Sequence, residues 1–210
     1  MPPNPRPEST VPNDGLTPKR QALIQDLYIW GPSLVQEVRS KYPIELLHEL
    51  EQNKVLARRK FIGFEVYLLS GAGLRPYGYS LRYNYVPSKS VVLGAIIVRA
   101  LARQYREKGY EVEFHEGYSK RGRDNILLVR KDGLLTVVLG RASITLKSAR
   151  IIVNTLLENL GHIDSVHAVV IQGDYDKSIL NANKVGGVPF DFIQHPMTYF
   201  TREEFPSTKS

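Results

Sequence analysis

The sequence contains no cysteine. That removes any disulfide framework, any thiolate metal site and any cysteine nucleophile, and it suits a reducing compartment. Long apolar runs are also missing: none approaches the ~20 residues that a helix needs to span a bilayer. The opening residues, MPPNPRPESTVPNDG, are rich in Pro and polar side chains and lack the apolar centre of a signal peptide. They read as a disordered lead-in, and the expectation is a soluble, cytoplasmic protein without a membrane partner. No HExxH, GxSxG or GxxxxGK[ST] pattern occurs, so zinc hydrolase, serine hydrolase and P-loop chemistry have no foothold. No cofactor is expected.

The chain does carry an excess of positive charge. Over 210 residues, 28 Lys and Arg oppose 21 Asp and Glu, for a formal net charge of +7. The excess is spread over both halves, which favours polyanionic partners through long-range attraction and counterion release.

The organised part opens at Thr17-Pro18, an N-cap followed by proline at the first helical position. Ala22, Leu23, Leu27 and Ile29-Trp30 recur at helical spacing. Gly31-Pro32-Ser33 stops that helix and starts a second, whose buried side is Leu34, Val35 and Val38. Tyr42-Pro43 breaks the second and begins a third, with Ile44, Leu46, Leu47 and Leu50 as its core residues. Val55 to Lys60 then reads as a strand, Gly63 as a turn, and Phe64 to Leu69 as the returning strand.

Three short helices closed by a hairpin follow the order of a winged helix-turn-helix. The stretch from Leu46 to Gly73 resembles the recognition-helix and wing segment of bacterial winged helix proteins, with Tyr67-Leu68-Leu69-Ser70 matching the closing strand end. The resemblance implies that the third helix enters a DNA major groove. The candidate contacts there are Ser40, Lys41, Tyr42, Glu45 and His48. Arg58, Arg59 and Lys60 on the wing would grip phosphate. Glu45, Glu49 and Glu51 work against this, because carboxylates near phosphate are penalised. The alternative is a protein-docking module whose acidic helix meets a basic partner.

Residues 76–86 form a Tyr- and Arg-bearing linker. Pro87-Ser88 begins a long helix with a broad apolar face from Val91 to Tyr105, and Arg99, Arg103, Arg106 and Lys108 are expected on its other side. Tyr110 to Glu116, Asp124 to Arg130 and Leu134 to Leu139 read as strands, the last two joined at the Asp132-Gly133 turn. Ser143 is the expected cap of a helix from about Ile144 to Leu160, and Val166 to Ile171 reads as a buried strand. Phe190 to Ile193 is a candidate edge strand. The fold class is α+β: a winged helix-turn-helix over 17–75, then a mixed α/β domain of α-β-β-β-α-β order over 87–205, with tails at 1–16 and 206–210. The width of the long helix's apolar face leaves room for a homodimer.

That second order resembles the core of the restriction-endonuclease-like fold. Together with the preceding winged helix, the chain resembles the replication-relaxation family of bacterial plasmid and mobile-element proteins. The resemblance implies a metal site built from an Asp opening the second strand and an acid on the third, followed by a Lys. Asp124 stands at the first position, but the third strand reads Thr136-Val137-Val138-Leu139-Gly140-Arg141 and carries no carboxylate. Asp124 is therefore a vestigial metal position, since a lone carboxylate holds a hard cation poorly. Migrated ligands at Glu113, Glu116 or Lys147 would be needed for an active nuclease. The loop Ser119-Lys120-Arg121-Gly122-Arg123 offers a second basic patch. The leading expectation is a non-catalytic protein that binds duplex DNA, with Lys120, Arg121 and Arg123 joining the wing residues.

Overall fold

The structure is a computed structural model and describes residues 17–61, 63–71, 87–115, 125–171 and 177–195. The linker 76–86, the basic loop with Lys120, Arg121 and Arg123, and Asp124 lie outside the described residues.

Helix α1 (Pro18–Trp30) is capped by Thr17, whose hydroxyl accepts from the Arg20 amide at 3.4 Å, and it stops at Gly31 with φ 75°. A two-residue strand β1 (Ser33–Leu34) follows, then α2 (Val35–Lys41) and α3 (Ile44–Gln52). Strands β2 (Leu56–Phe61) and β3 (Phe64–Leu69) form the hairpin. The three helices and the hairpin lie close to where the sequence pattern puts them, except that Ser33 and Leu34, read as the start of the second helix, are strand. Strand β1 is an addition, because two residues carry no periodicity. It joins the hairpin in an antiparallel sheet of order β1-β3-β2, with Ser33 opposite Tyr67 and Leu34 opposite Val66. Leu23, Ile24, Leu27, Val35, Val38, Leu47, Leu50 and Tyr67 close the core beneath it.

The remaining elements are α4 (Lys89–Glu107), β4 (Glu111–His115), β5 (Ile126–Lys131), β6 (Leu134–Arg141), α5 (Leu146–Leu160), β7 (Ser165–Ile171), a 3-10 turn (Lys177–Asn181), β8 (Lys184–Val185) and β9 (Val188–His195). Helix α5 starts later than its expected Ser143 cap. Thr145 and Ser148 form a reciprocal capping box that satisfies the first turn. The sheet order is β4-β5-β6-β7-β9-β8, with β4, β5 and β6 antiparallel and β6, β7 and β9 parallel. The candidate edge strand at Phe190 is an inner strand. Gly186 and Gly187, at φ 60° and 83°, turn the short β8 back along it as the true edge.

Each helix covers one face of this sheet. Ala149, Val153 and Leu156 of α5 meet Leu128, Val137, Leu139 and Val166. Ile97, Val98 and Leu101 of α4 meet Leu127, Val129, Val138 and Val169. The result is an α+β chain with a layered second half.

Helix α4 also belongs to the first half. Val92 and Ile96 pack with Leu34, Val66 and Leu68. Trp30 lies against Phe114, ring centroids 5.3 Å apart. The breadth of α4's apolar face is thus used within the chain, which corrects its reading as the seat of a second subunit. Arg99 corrects the sequence pattern as well. It is only 5 % exposed, on the side of α4 that meets the first module, rather than on a solvent face. Among the described residues no helix is long and apolar enough to cross a membrane.

Candidate nucleic-acid interface

The α2–α3 corner and the β2–β3 hairpin hold most of the described candidates. On α3, Leu47 and Leu50 are fully buried. Ile44, Glu45, His48, Glu49 and Gln52 are exposed. At ~100° per residue, Ile44, His48, Gln52 and Glu45 share one arc of roughly 100° facing away from the leucines. This arc does nothing for the core, which corrects the reading of Ile44 as a core residue of the third helix.

The three glutamates of this helix are not equivalent. Glu49 accepts a charged hydrogen bond from Arg20 on α1. Glu51 lies 3.8 Å from the Arg58 guanidinium on β2. Glu45 has no ion pair among the described residues. Two of the three negative charges that argue against phosphate proximity are therefore offset inside the module, which sequence spacing alone does not show.

Strand alternation divides Arg58, Arg59 and Lys60. Arg58 and Lys60 are exposed on one face of β2, whereas Ala57, Arg59 and Phe61 turn to the other and are half-buried. Arg58 reaches between Glu51 at 3.8 Å and Glu65 at 4.0 Å. Such long, exposed pairs contribute little and are easily exchanged for phosphate. Their geometry also sets β2's exposed face beside α3. Arg59 instead donates to the Pro87 carbonyl at 3.0 Å and lies 4.9 Å from the Phe61 ring centroid. It fastens the hairpin to the start of α4, a use that Arg58 and Lys60 do not share among the described residues.

At the end of α2, Ser40 is exposed and its hydroxyl donates to the Glu37 carbonyl at 2.8 Å. Lys41 is half-exposed and donates to the Glu37 carboxylate at 3.0 Å. Glu37 itself is 4 % exposed and also accepts from the Ser33 hydroxyl at 3.0 Å. Burial alone would raise its pKa. Lys41, Arg99 and Arg103 outweigh that and hold the carboxyl below its usual range. Lys41 therefore carries a partly compensated charge. Tyr42 is half-buried against the module's core. Burial and nearby Asp26 push its phenol pKa up, against the pull of Arg99. Its ring is a packing element more than a groove-facing one.

Three residues were missed by sequence reasoning. Arg39 is exposed in the last turn of α2 and Lys54 at the turn after α3, the latter with φ 56°. Neither has an ion pair among the described residues. Their signal was only adjacency to the candidates already chosen. Glu37 had a clearer one, its i,i+4 spacing to Lys41.

In the second half, Val137, Val138 and Leu139 are each 0 % exposed, so both faces of β6 are filled by apolar packing. Asn125, next to Asp124 in the sequence, is 2 % exposed and donates to the Val91 carbonyl of α4 at 3.3 Å. A Cβ at Gly94 would come within 2.4 Å of that amide and one at Gly140 within 2.6 Å of Val98, so α4 presses closely on the strand ends. Of the candidate migrated ligands, Glu113 is paired with Arg130 at 3.2 Å, Lys147 is exposed in the first turn of α5, and Glu116 lies outside the described residues. Among the described residues, no three His, Asp or Glu side chains gather so that they could hold a metal ion.

Neither a comparison with protein-family models nor one with the curated proteins gives a match to this chain.

Proposed function

We propose that this chain is a non-catalytic DNA-binding protein that engages duplex DNA through its N-terminal module, used as a winged helix. The observation that carries the reading is the exposed arc of α3. It is free of core duties, two of the helix's three carboxylates are offset by Arg20 and Arg58, and the adjoining elements carry exposed cations: Arg39 on α2, Lys54 in the turn after α3, and Arg58 and Lys60 on β2. In this reading α3 lies in the major groove and Arg58 and Lys60 contact the backbone. Ser40, Lys41 and His48 complete the contact. Lys120, Arg121 and Arg123 contribute a second basic patch on the other half.

The α-β-β-β-α-β order beside this module supports membership of the replication-relaxation family, with duties in replication, plasmid maintenance or transcription control. The apolar β6 supports a domain that has kept a nuclease-like architecture without hydrolysing nucleic acid. The test is titration of the full chain with duplex and single-stranded probes over several salt concentrations. Duplex affinity that falls steeply with salt is expected. Binding that is weak and indifferent to salt would overturn the reading and favour a protein-docking role.

A further inference from the structure

We infer that Glu45 is a specificity-determining residue that selects cytosine in the major groove, with Ile44 covering the methyl group of a neighbouring thymine. The inference rests on the DNA-binding reading above and goes further by naming the base.

A carboxylate only accepts hydrogen bonds. In the major groove the donors are the amino groups of cytosine and adenine. Adenine sets the N7 acceptor beside its amino group, and N7 repels a carboxylate. Cytosine has no acceptor beside its amino group on that edge. A glutamate that meets a base edge therefore prefers cytosine, and one that meets phosphate weakens binding everywhere.

The structure separates Glu45 from its neighbours. Glu49 and Glu51 are held by Arg20 and Arg58, whereas Glu45 is exposed and without an ion pair among the described residues. It stands in the first turn of α3, the end that a recognition helix points at the bases. Ile44, beside it, is 46 % exposed, one of only a few large apolar side chains left so open among the described residues. An aliphatic side chain there has an apolar counterpart in the thymine methyl. Carboxylate and aliphatic group together describe a pyrimidine-bearing strand.

The experiment is selection from a randomised duplex pool with the full chain, unchanged and as Glu45→Ala and Glu45→Gln. Glu45 is exposed, so both variants should melt with the unchanged protein. The unchanged chain should enrich cytosine at a fixed position. Glu45→Ala should lose about tenfold or more of that discrimination while keeping or raising its affinity for unselected duplex. Glu45→Gln should shift the same position toward adenine, because an amide both accepts from the adenine amino group and donates to N7. Enriched sites whose cytosine content neither variant alters would overturn this inference alone. Failure of the unchanged chain to bind any duplex would overturn it together with the DNA-binding reading.

Discussion

The guanidinium of Arg99 on α4 donates to the carboxylate of Asp26 on α1 at 2.9 Å, although 73 positions separate them in the chain. The same guanidinium donates to the carbonyls of Asp26 at 3.1 Å, Gly31 at 2.8 Å and Pro32 at 3.2 Å. The planar fork of Arg suits this cluster, since it offers several donors at fixed angles. The carbonyls at the end of α1 are thereby satisfied by a residue of the other half. With Leu34, Val66 and Leu68 packed on Val92 and Ile96 nearby, the first module is fixed to α4 rather than tethered to it.

Arg99→Met should therefore cost about 3 kcal/mol, because it strands a partly buried carboxylate and three carbonyls that the native side chain satisfies. Urea denaturation monitored at Trp30, beside the joint, and by circular dichroism should show coincident transitions in the native chain. In the variant the midpoint should fall and the two signals should separate. An unchanged midpoint would show that the contact is dispensable.

Glu37 should give the chain an acid-sensitive component of stability. Its folded pKa lies below the usual 4.5. A group depressed in this way adds stability that is present above the unfolded value and is lost as pH falls through the folded one. Thermal melts of the native chain should therefore drop on the acid side of about pH 4.5. Glu37→Gln should start lower at neutral pH and lose less over that range. Parallel acid limbs in the two proteins would remove Glu37 from the account.

Much of the fold could be read from the sequence where local chemistry decides it. Thr17-Pro18 opens α1, Gly161 closes α5, and Asp132 and Gly133, at φ 51° and 81°, make the expected hairpin. What the sequence does not show for the polar residues is their use across the chain. Arg99 reads as surface because a charged residue is seldom buried without partners, and its partners lie 67 to 73 positions away. Arg59 reads as one of three equal cations until strand alternation separates it from Arg58 and Lys60. The glutamates of α3 look alike until Arg20 and Arg58 are set against two of them. In each case the deciding contact is tertiary, and no local period encodes it.

The wing should divide in function as it divides in geometry. Arg58→Ala and Lys60→Ala should each flatten the salt dependence of duplex binding by about one unit per lost phosphate contact, similarly across sequences. Arg59→Ala should leave that slope alone and lower stability by about 1 kcal/mol through loss of the bond to Pro87. Equal slope changes for all three variants would contradict this division.

Charge reversal of Lys120 and Arg121 tests the second patch. It should reduce duplex affinity without lowering the melting temperature, as expected for cations that act through the long-range field. Equal affinity in the native and reversed proteins would confine binding to the first module.

The chain should not cleave nucleic acid, and the reason lies in β6. Metal-assisted hydrolysis of a phosphodiester needs carboxylates that hold the cation against the scissile phosphate. Asp124 supplies one, and the neighbouring strand should supply another. There, Val137 and Leu139 face the packing of α5, while Val138 faces α4 between Val98 and Leu127. A one-residue shift of register exchanges the two faces, but both are fully buried and apolar. An acid placed at Val138 would be desolvated beneath α4, so Val138→Glu should destabilise the fold by several kcal/mol and restore no activity. Incubation of the native chain with plasmid, linear duplex and single strands in Mg²⁺ and in Mn²⁺ is expected to leave all of them intact. Cleavage that co-purifies with the chain and vanishes in Asp124→Ala would show that ligands from elsewhere complete the site.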